Sequence, residues 1–474
     1  MSPLWTSEAL VAAMDGRPVG RLPEGVPGIS IDTRTLQPGE AFFAIRGEKF
    51  DGHDFATAAM AAGAGLLVVS EARLPSLGRL AMPMIVVPDV LAALEQAGAA
   101  ARARTRAKIV AVTGSAGKTT TKEALRHALS AAGTVHASDR SFNNHWGVPL
   151  TLARMPEDCD YAVFEIGMNH PGEIRPLTRL VRPHIAVVTL IAAAHLGHFG
   201  SLDEIARAKA EIFEGVEAGG HAVINRDDAR YRLLDKAARA AGVAHVWGFG
   251  ENSRAQFKLL KYEARPDGSL ITARIDGKNV EARIGVPGRH IVQNALAVLG
   301  VAHLAGADLA RVAPALGNLQ AERGRGRRHT LAVPGGTFTL IDESYNANPA
   351  SMRAAIELLG AAPVGPGGRR IAVLGDMLEL GSHAAELHGA LAGVIAAANV
   401  DIAFLAGPEM KTLADALPAD CRAEYRPGVE EVQALVLKTV RAGDAVMVKS
   451  SNGIGFSRIV EALTSAFPAA RNAA

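Results

Sequence analysis

The stretch that decides the fold is KIVAVTGSAGKTT, residues 108–120. Its first half is an apolar run typical of a buried strand, its middle is rich in glycine, and a helical pattern over 119–132 follows directly. In such a turn the backbone N–H groups can wrap the oxygens of a phosphate. The stretch therefore predicts a phosphate-binding loop between a strand and a helix.

Side chains at the start of the predicted helix supply the chemistry of this loop. Lys118 would neutralise charge on the β- and γ-phosphates, and the hydroxyl of Thr119 can reach a bound Mg²⁺. The helix N-terminus adds a favourable dipole. A full P-loop has a glycine five residues before Gly117, where this chain has Val112. A glycine turn with an incidental lysine is the alternative, but the flanking strand and helix favour a nucleoside triphosphate site.

Strands and helices alternate on the carboxyl side of the loop. YAVFEIG, HIAVVTL and HAVINR are strand-like, and helical patterns cover 202–214 and 228–241. This alternation predicts a doubly wound, mostly parallel sheet, in which ligands gather at the carboxyl ends of the strands. Residues 255–287 differ, because their alternating pattern and the turn Asp276-Gly277 predict an antiparallel β insertion.

Further α/β patterns lie on both sides of this central block. Before it come the strand-like pieces GISIDTR, EAFFAIRG, GLLVVSE and MPMIVVPD, and after it come GTFTLID, RRIAVLGD, IAFLAG and DAVMVKS. At roughly 150 residues per domain, a chain of 474 residues suggests about three domains. We therefore expect an α/β protein with a small α/β module at 1–90, a central P-loop domain at 91–329 and a C-terminal Rossmann-like domain at 330–474.

The composition excludes several classes of protein. A hydrophobic share of 49% and a charged share of 21% are typical of a globular protein. A net charge of +2 is too small to create a positive electrostatic potential over the whole protein that would attract nucleic acid. Two cysteines, Cys159 and Cys421, cannot form a disulfide framework, so we expect a reducing compartment. The N-terminus lacks a secretory pattern and no apolar run reaches the ~20 residues of a spanning helix. We expect a cytoplasmic protein without membrane insertion.

Three ionisable residues follow successive predicted elements beside the loop. Glu165 ends the strand YAVFEIG, His195 follows the next strand, and Lys209 lies fourteen residues further on (209 − 195). Each alone has an ordinary explanation: a surface carboxylate, a structural histidine or a solvated lysine. Together they predict a site for a metal ion and phosphate beside the P-loop.

These motifs resemble the ATP-dependent Mur ligases of peptidoglycan synthesis, over essentially the whole chain. VTGSAGKTT is similar to the family's shortened P-loop, which also lacks the first glycine. FEIGMNH, QNALA and ERGRGR resemble its metal-binding and nucleotide-binding motifs. The resemblance implies ATP and two Mg²⁺ ions, with metal ligands Thr119, Glu165, His195 and a carbamylated Lys209. The nucleotide contacts that it implies are Gly114, Ser115, Ala116, Gly117, Lys118, Thr119, Thr120, Asn294, Arg325 and Asp342.

Other strings resemble the branch of this family that joins D-alanyl-D-alanine to UDP-N-acetylmuramoyl-tripeptide through an acyl phosphate. They are SFNNHWGVPLTL, FEIGMNHPGEI, DESYNANPASM and VLGDMLELG. The catalytic residues implied are Lys118, Glu165, His195, Lys209, Asn346 and Asn348. The stretch IDTRTLQPGEAFFAIRGEKFDGHDF resembles the UDP-binding module, with contacts at Asp32, Thr33, Arg34 and Arg46. Asn143 and Asn144 would hold the UDP-sugar peptide, although a polar turn explains them equally well. A monomer is expected.

Two other functions remain as alternatives. One is the Mur ligase that adds a single amino acid, against which DESYNANP and VLGDMLELG argue. The other is a P-loop phosphotransferase or regulatory NTPase without ligase activity. A nucleic-acid patch at RGRGRR lacks the interleaved aromatic residues that would support it. One departure from the family is local: the usual AHLEGFGS reads AHLGHFGS, with Gly197 and His198 in place of Glu-Gly.

Overall fold

The computed structural model describes residues 3–77, 80–139, 141–194 and 196–470. Three large sheets follow one another along the chain, and helices cover them. Parallel pairs predominate in each sheet, so the α/β architecture predicted from the alternation of strands and helices is confirmed. In the described part of the chain, no helix combines the length and the apolar character needed to cross a membrane.

The first sheet has five strands and a two-stranded neighbour. The strands are β1 (Trp5–Thr6), β2 (Arg17–Val19), β3 (Gly25–Val26), β4 (Ile29–Ser30), β5 (Ala41–Phe43), β6 (Leu66–Ser70) and β7 (Met84–Val87). The five-stranded sheet has the order β2-β7-β6-β5-β4 with only β2 antiparallel, and β1 pairs with β3. The helices are α1 (Ser7–Ala13), α2 (Ala56–Ala61), α3 (Leu74–Leu77) and α4 (Val90–Arg104), with 3₁₀ turns at Gly52–Phe55 and Glu71–Arg73.

The central sheet has nine strands. They are β8 (Lys108–Thr113), β9 (Val135–Ala137), β10 (Tyr161–Glu165), β11 (Ile185–Val188), β12 (His221–Asn225), β13 (His245–Gly250), β14 (Phe257–Arg265), β15 (Gly268–Ile275) and β16 (Lys278–Ile284). Their order is β16-β15-β14-β13-β12-β11-β8-β10-β9, parallel from β9 to β14. The predicted antiparallel segment is confirmed as β14–β16, with Asp276 and Gly277 at φ 45° and 81° in the turn. It extends the central sheet at one edge.

The helices of the central region are α5 (Lys118–Leu129), α6 (Gly147–Ala153), α7 (Ile174–Val181), α8 (Leu202–Ala210), α9 (Tyr231–Ala240), α10 (Arg289–Leu304) and α11 (Leu309–Ala315), with 3₁₀ turns at Leu196–His198, Glu211–Gly215 and Leu316–Asn318. The predicted helix over 202–214 is therefore an α-helix followed by a tighter 3₁₀ turn. A hydrogen bond from the Trp5 indole to the Ala153 carbonyl at 2.8 Å joins the first region to α6.

The third sheet has six strands in the order β17-β18-β22-β19-β20-β21, parallel except at β17. Its strands are β17 (Arg327–Val333), β18 (Gly336–Glu343), β19 (Arg370–Gly375), β20 (Ile402–Ala406), β21 (Arg422–Arg426) and β22 (Ala445–Lys449). Its helices are α12 (Pro349–Gly360), α13 (Ala384–Gly389), α14 (Leu391–Ala397), α15 (Met410–Ala416), α16 (Val429–Thr439) and α17 (Ser457–Ala466), with 3₁₀ turns at Gly381–His383 and Asn452–Ile454. The two edge strands were not predicted, because their half-exposed polar residues form no apolar run.

Candidate functional site

The predicted phosphate loop forms the turn between β8 and α5. Gly117 has a φ of 81°, and a Cβ there would lie 3.1 Å from both amide atoms of Asn294. A side chain is therefore disfavoured by backbone conformation and by space. The ammonium of Lys118 donates to the Gly114 carbonyl at 2.8 Å. Burial lowers the pKa of Lys118, with the Glu165 charge opposing the change and the Arg325 charge adding to it.

Neighbouring strand ends hold the loop in shape. The backbone N–H of Ser115 donates to the Leu190 carbonyl at 2.7 Å, and the Thr189 hydroxyl donates to the Ala116 carbonyl at 2.6 Å. The Ser115 hydroxyl is buried and has no partner among the described residues. The loop thus leaves a polar group unsatisfied where a phosphate oxygen would lie.

Glu165 ends β10 beside the loop and is 1% exposed. Its Oε1 accepts from the Asn143 amide at 2.7 Å, while Oε2 is buried without a partner in the described part of the chain. A carboxyl oxygen left without a partner in that position suits a cation ligand. Asn144 does something different: its Oδ1 accepts from the Gly147 N–H at 2.9 Å at the start of α6.

Lys209 lies near the end of α8 and is 1% exposed. Burial lowers its pKa well below the ordinary value, and the charge of Lys118 lowers it further. A buried amine of this kind is neutral over a wider pH range than an exposed one. His195, the other residue predicted here, lies outside the described residues.

Arg325, which precedes the third sheet, and Asn348, which follows β18, line the same cavity. Arg325 stacks on the Tyr345 ring at 4.1 Å and donates to the Ser141 hydroxyl at 3.4 Å. Asn348 precedes α12, and its amide donates to the Ser115 carbonyl of the phosphate loop at 3.2 Å. The third sheet is therefore docked against the P-loop.

Asp342 lies in β18, next to its last residue, and is 1% exposed. Its Oδ2 accepts from the Gly324 N–H at 2.8 Å, and its Oδ1 accepts from the Ser344 hydroxyl at 2.6 Å. The carboxylate thus anchors the segment that carries Arg325 and is not part of the cavity wall.

A buried ion pair was missed by the sequence analysis. Lys449 ends β22, and its ammonium lies 3.1 Å from Glu343 Oε2 and donates to the Asn346 carbonyl at 2.9 Å. Lys449 and Glu343 both line the cavity, as does His290. Burial lowers the pKa of His290, with the Glu343 charge opposing and the Lys449 charge reinforcing that change. The available signal was a lysine at the end of the buried strand DAVMVKS.

A cavity of about 580 Å³ collects most of the predicted residues. It lies between the carboxyl ends of the central strands and the Asn346–Asn348 turn. The predicted residues that line it are Ser115, Ala116, Gly117, Lys118, Thr119, Thr120, Asn143, Glu165, Asn294, Arg325, Asn346 and Asn348. Of the other described candidates, Gly114, Asn144, Lys209 and Asp342 are not in its wall.

The four candidates of the first region lie apart from this cavity. Asp32, Thr33 and Arg34 follow β4, and Arg46 follows β5, so all four are at the carboxyl ends of parallel strands. Asp32 and Arg34 form a pair at 2.6 Å, which raises the pKa of Arg34. Arg46 pairs with Asp51 as an isolated antiparallel bridge.

The donor set fits Mg²⁺ bound partly by phosphate. Among the described residues, no three His, Cys, Asp or Glu side chains converge as a self-contained metal site. Mg²⁺ in nucleotide sites commonly takes one or two protein oxygens and completes its shell with phosphate and water. The Thr119 hydroxyl and the unpartnered Glu165 Oε2 match that requirement.

Three family models match the chain in order. "Mur ligase family, catalytic domain" matches residues 26–102, "Mur ligase middle domain" residues 112–302 and "Mur ligase, glutamate ligase domain" residues 326–452. UDP-N-acetylmuramoyl-tripeptide–D-alanyl-D-alanine ligase of Escherichia coli is 37% identical, over 82% of this chain and 83% of its own. Its counterpart in Rickettsia prowazekii is 32% identical, over 91% and 94%. The crystal structure of MurF from Acinetobacter baumannii superposes with a TM-score of 0.83 at 29% identity, covering 97% and 99%.

Proposed function

The chain belongs to the Mur ligase family, and from that premise we propose that it joins D-alanyl-D-alanine to UDP-N-acetylmuramoyl-tripeptide, driven by ATP, in peptidoglycan synthesis. The observation that carries the proposal is one cavity in which the P-loop, Glu165 and the Asn346–Asn348 turn meet. Such a cavity brings a triphosphate and two further reactants within reach of each other. The names of the curated relatives supply the substrates.

The first step joins two anions. The terminal carboxylate of the tripeptide attacks the γ-phosphorus of ATP, ADP leaves, and an acyl phosphate forms. Lys118 and the N-terminus of α5 offset the charge that builds up on the phosphoryl oxygens. Lys118 is already held at the loop by its bond to Gly114, so little reorganisation is needed when the phosphates bind.

The resemblance to the Mur ligases supplies the proposed metal ligands. Thr119 and Glu165 would hold one Mg²⁺, and Glu165, His195 and a carbamylated Lys209 would hold a second. Bound there, Mg²⁺ neutralises phosphate charge and polarises the reacting oxygens. Glu165 can serve because Asn143 occupies only one of its oxygens.

Carbamylation of Lys209 is chemically reasonable in this position. A neutral amine attacks CO₂, a C–N bond forms and a proton is released, leaving a carboxylate on the lysine stem. Burial and the charge of Lys118 lower the pKa of Lys209, which favours the neutral amine. A carboxylate attracts Mg²⁺ where an ammonium would repel it.

The second step forms the amide bond. The amine of D-alanyl-D-alanine attacks the acyl carbon, the tetrahedral intermediate expels phosphate, and the amine loses its proton. We propose that Asn346 and Asn348 lie close to these reacting groups, since both line the cavity. The region 330–474 would supply the D-alanyl-D-alanine side of the site, and its contact with the P-loop would exclude water.

We propose that the remaining candidate residues contact the nucleotide and the UDP moiety. In the central domain 91–329, Asn294 lies against Gly117, and Arg325 faces the cavity. Asp342 would act on the nucleotide through the segment that it anchors. In the module 1–90, we propose that Asp32, Thr33, Arg34 and Arg46 contact UDP at the carboxyl ends of the strands. Asn143 and Asn144 would guide the peptide between the two domains.

The test is phosphate release from ATP with UDP-N-acetylmuramoyl-tripeptide present, with product mass recorded. We expect release that requires D-alanyl-D-alanine and a product one dipeptide heavier. Release that instead requires UDP-N-acetylmuramoyl-dipeptide and a free amino acid would assign the preceding step. Release that ignores every peptide would indicate a P-loop NTPase. Lys118→Met is the control for contaminating ATPases, because it removes the ammonium and keeps most of the side-chain volume.

A further inference from the structure

The two polar atoms of the Asn348 side-chain amide form hydrogen bonds to two different domains. Its Oδ1 accepts from the Ser351 N–H at 2.9 Å and so caps α12. Its Nδ2 donates to the Ser115 carbonyl at 3.2 Å, across 233 residues of sequence. The residue is 8% exposed, so little water competes for either bond.

The Ser115 carbonyl is the part of the loop that faces the third domain. The Ser115 N–H and the Ala116 carbonyl are already bonded to the segment after β11, through Leu190 and Thr189. Among the hydrogen bonds between described residues, only the Asn348 bond links a third-domain side chain to the backbone of residues 114–120. This bond therefore forms only when the third domain is in contact with the phosphate loop.

The turn that carries Asn348 is held firmly from its own side. The Lys449 ammonium donates to the Asn346 carbonyl at 2.9 Å, and the Ser451 hydroxyl donates to the Ala347 carbonyl at 3.4 Å. The Ser351 hydroxyl completes a capping box by accepting from the Asn348 N–H at 3.0 Å. A donor held in this way moves with its domain as one body.

We propose that Asn348 is a positioning residue that fastens the third domain to the P-loop, so that the acyl phosphate meets the amine before it meets water. The inference rests on the proposed ligase function. With the bond made, Asn348 lies against Ser115, and both residues line the cavity. With the bond lost, the domain spends more time away from the loop, and water attacks the acyl phosphate, giving back the carboxylate and free phosphate.

The test separates the two ends of the Asn348 amide. Asn348→Asp keeps an oxygen that caps α12 but replaces the donor to Ser115 with an acceptor. Asn348→Ser also caps a helix, is neutral, and is too short to reach the loop. Ser351→Ala is the matched control, because it removes the capping-box hydroxyl and leaves the Asn348 amide and its bond to Ser115 in place.

The readouts are phosphate released per amide bond formed and the thermal midpoint. We expect both Asn348 variants to keep the wild-type midpoint and to release about fivefold more phosphate that is not matched by an amide bond, the factor by which one lost hydrogen bond shifts an equilibrium. Ser351→Ala should lower the midpoint and keep the wild-type ratio. Wild-type coupling in both Asn348 variants, or equal uncoupling in Ser351→Ala, would overturn the proposal. A wild-type protein that does not join D-alanyl-D-alanine to the UDP-linked tripeptide would instead refute the proposed function.

Discussion

Replacement of Lys209 by methionine should make the protein more stable and inactive. Lys209 is 1% exposed, and among the described residues no opposite charge offsets the burial and the Lys118 charge that lower its pKa. Burial of an amine without full compensation costs ~1–3 kcal/mol, which methionine avoids at similar volume. At ~2–4 °C per kcal/mol for a domain of this size, the thermal midpoint should rise by ~2–12 °C.

The stability gain should depend on pH in a defined direction. The folded-state pKa of Lys209 lies below the ordinary value of 10.5, so the unfolded chain binds more protons between those two values. Wild-type stability therefore rises with pH across that window, and the Lys209→Met variant lacks this contribution. The difference in unfolding free energy between variant and wild type should be largest below the folded-state pKa and should shrink as pH approaches 10.5.

The assay is differential scanning calorimetry in CO₂-free buffer, paired with ligation measured in bicarbonate. Lys209→Arg is the control, since it keeps a permanent charge in the buried position and should be both inactive and less stable. Lys209→Ala should lose nearly all ligation, and its rescue by short carboxylic acids would support the carbamate. A methionine variant that is less stable than wild type in CO₂-free buffer, or that still ligates, would refute this reasoning.

Three further outcomes follow from the site and the core. Glu165→Gln should lower kcat/KM by about a hundredfold, which is the effect of removing one electrostatic group from an active site, and should raise the Mg²⁺ concentration needed for activity. A Mg²⁺ titration of activity that is unchanged from wild type would exclude a metal-ligand role. Gly117→Ala should cost ~1–2 kcal/mol because of its positive φ and its contact with Asn294, seen as a lower midpoint and weaker nucleotide binding; unaltered binding would show that the loop adapts. Burial raises the pKa of Cys421 to about 11 and also raises that of Cys159, so neither thiol should react with Ellman's reagent at pH 8 until guanidinium unfolds the chain, and rapid native labelling would contradict this.

The parts of the fold that follow from local pattern were predictable. Apolar runs bounded by polar turns identified β8, β10 and β11 and the buried strands of the third sheet, and Asp276-Gly277 identified a hairpin. The edge strands β17 and β21 were not predicted. A strand that pairs with a neighbour on one side alone carries exposed polar residues, which interrupt the apolar run.

In the candidate site, too, the residues with a local sequence signature were predicted and those without one were not. Gly117, Lys118 and Glu165 were found because a phosphate loop and a strand-end carboxylate have local signatures. The pair of Lys449 and Glu343 has no such signature, since 106 residues separate its members.

The sequence by itself determined the glycine-rich loop between β8 and α5 and the three α/β units, because backbone conformation and the periodicity of apolar residues are local properties of the chain. Only the tertiary structure decided that Asn348 donates to Ser115, that Lys209 is buried, and that Asp342 holds the segment of Arg325. Those contacts depend on how whole sheets are oriented, which is set by the packing of many side chains together. The role of a polar side chain therefore depends on which groups that packing places within hydrogen-bonding distance of it.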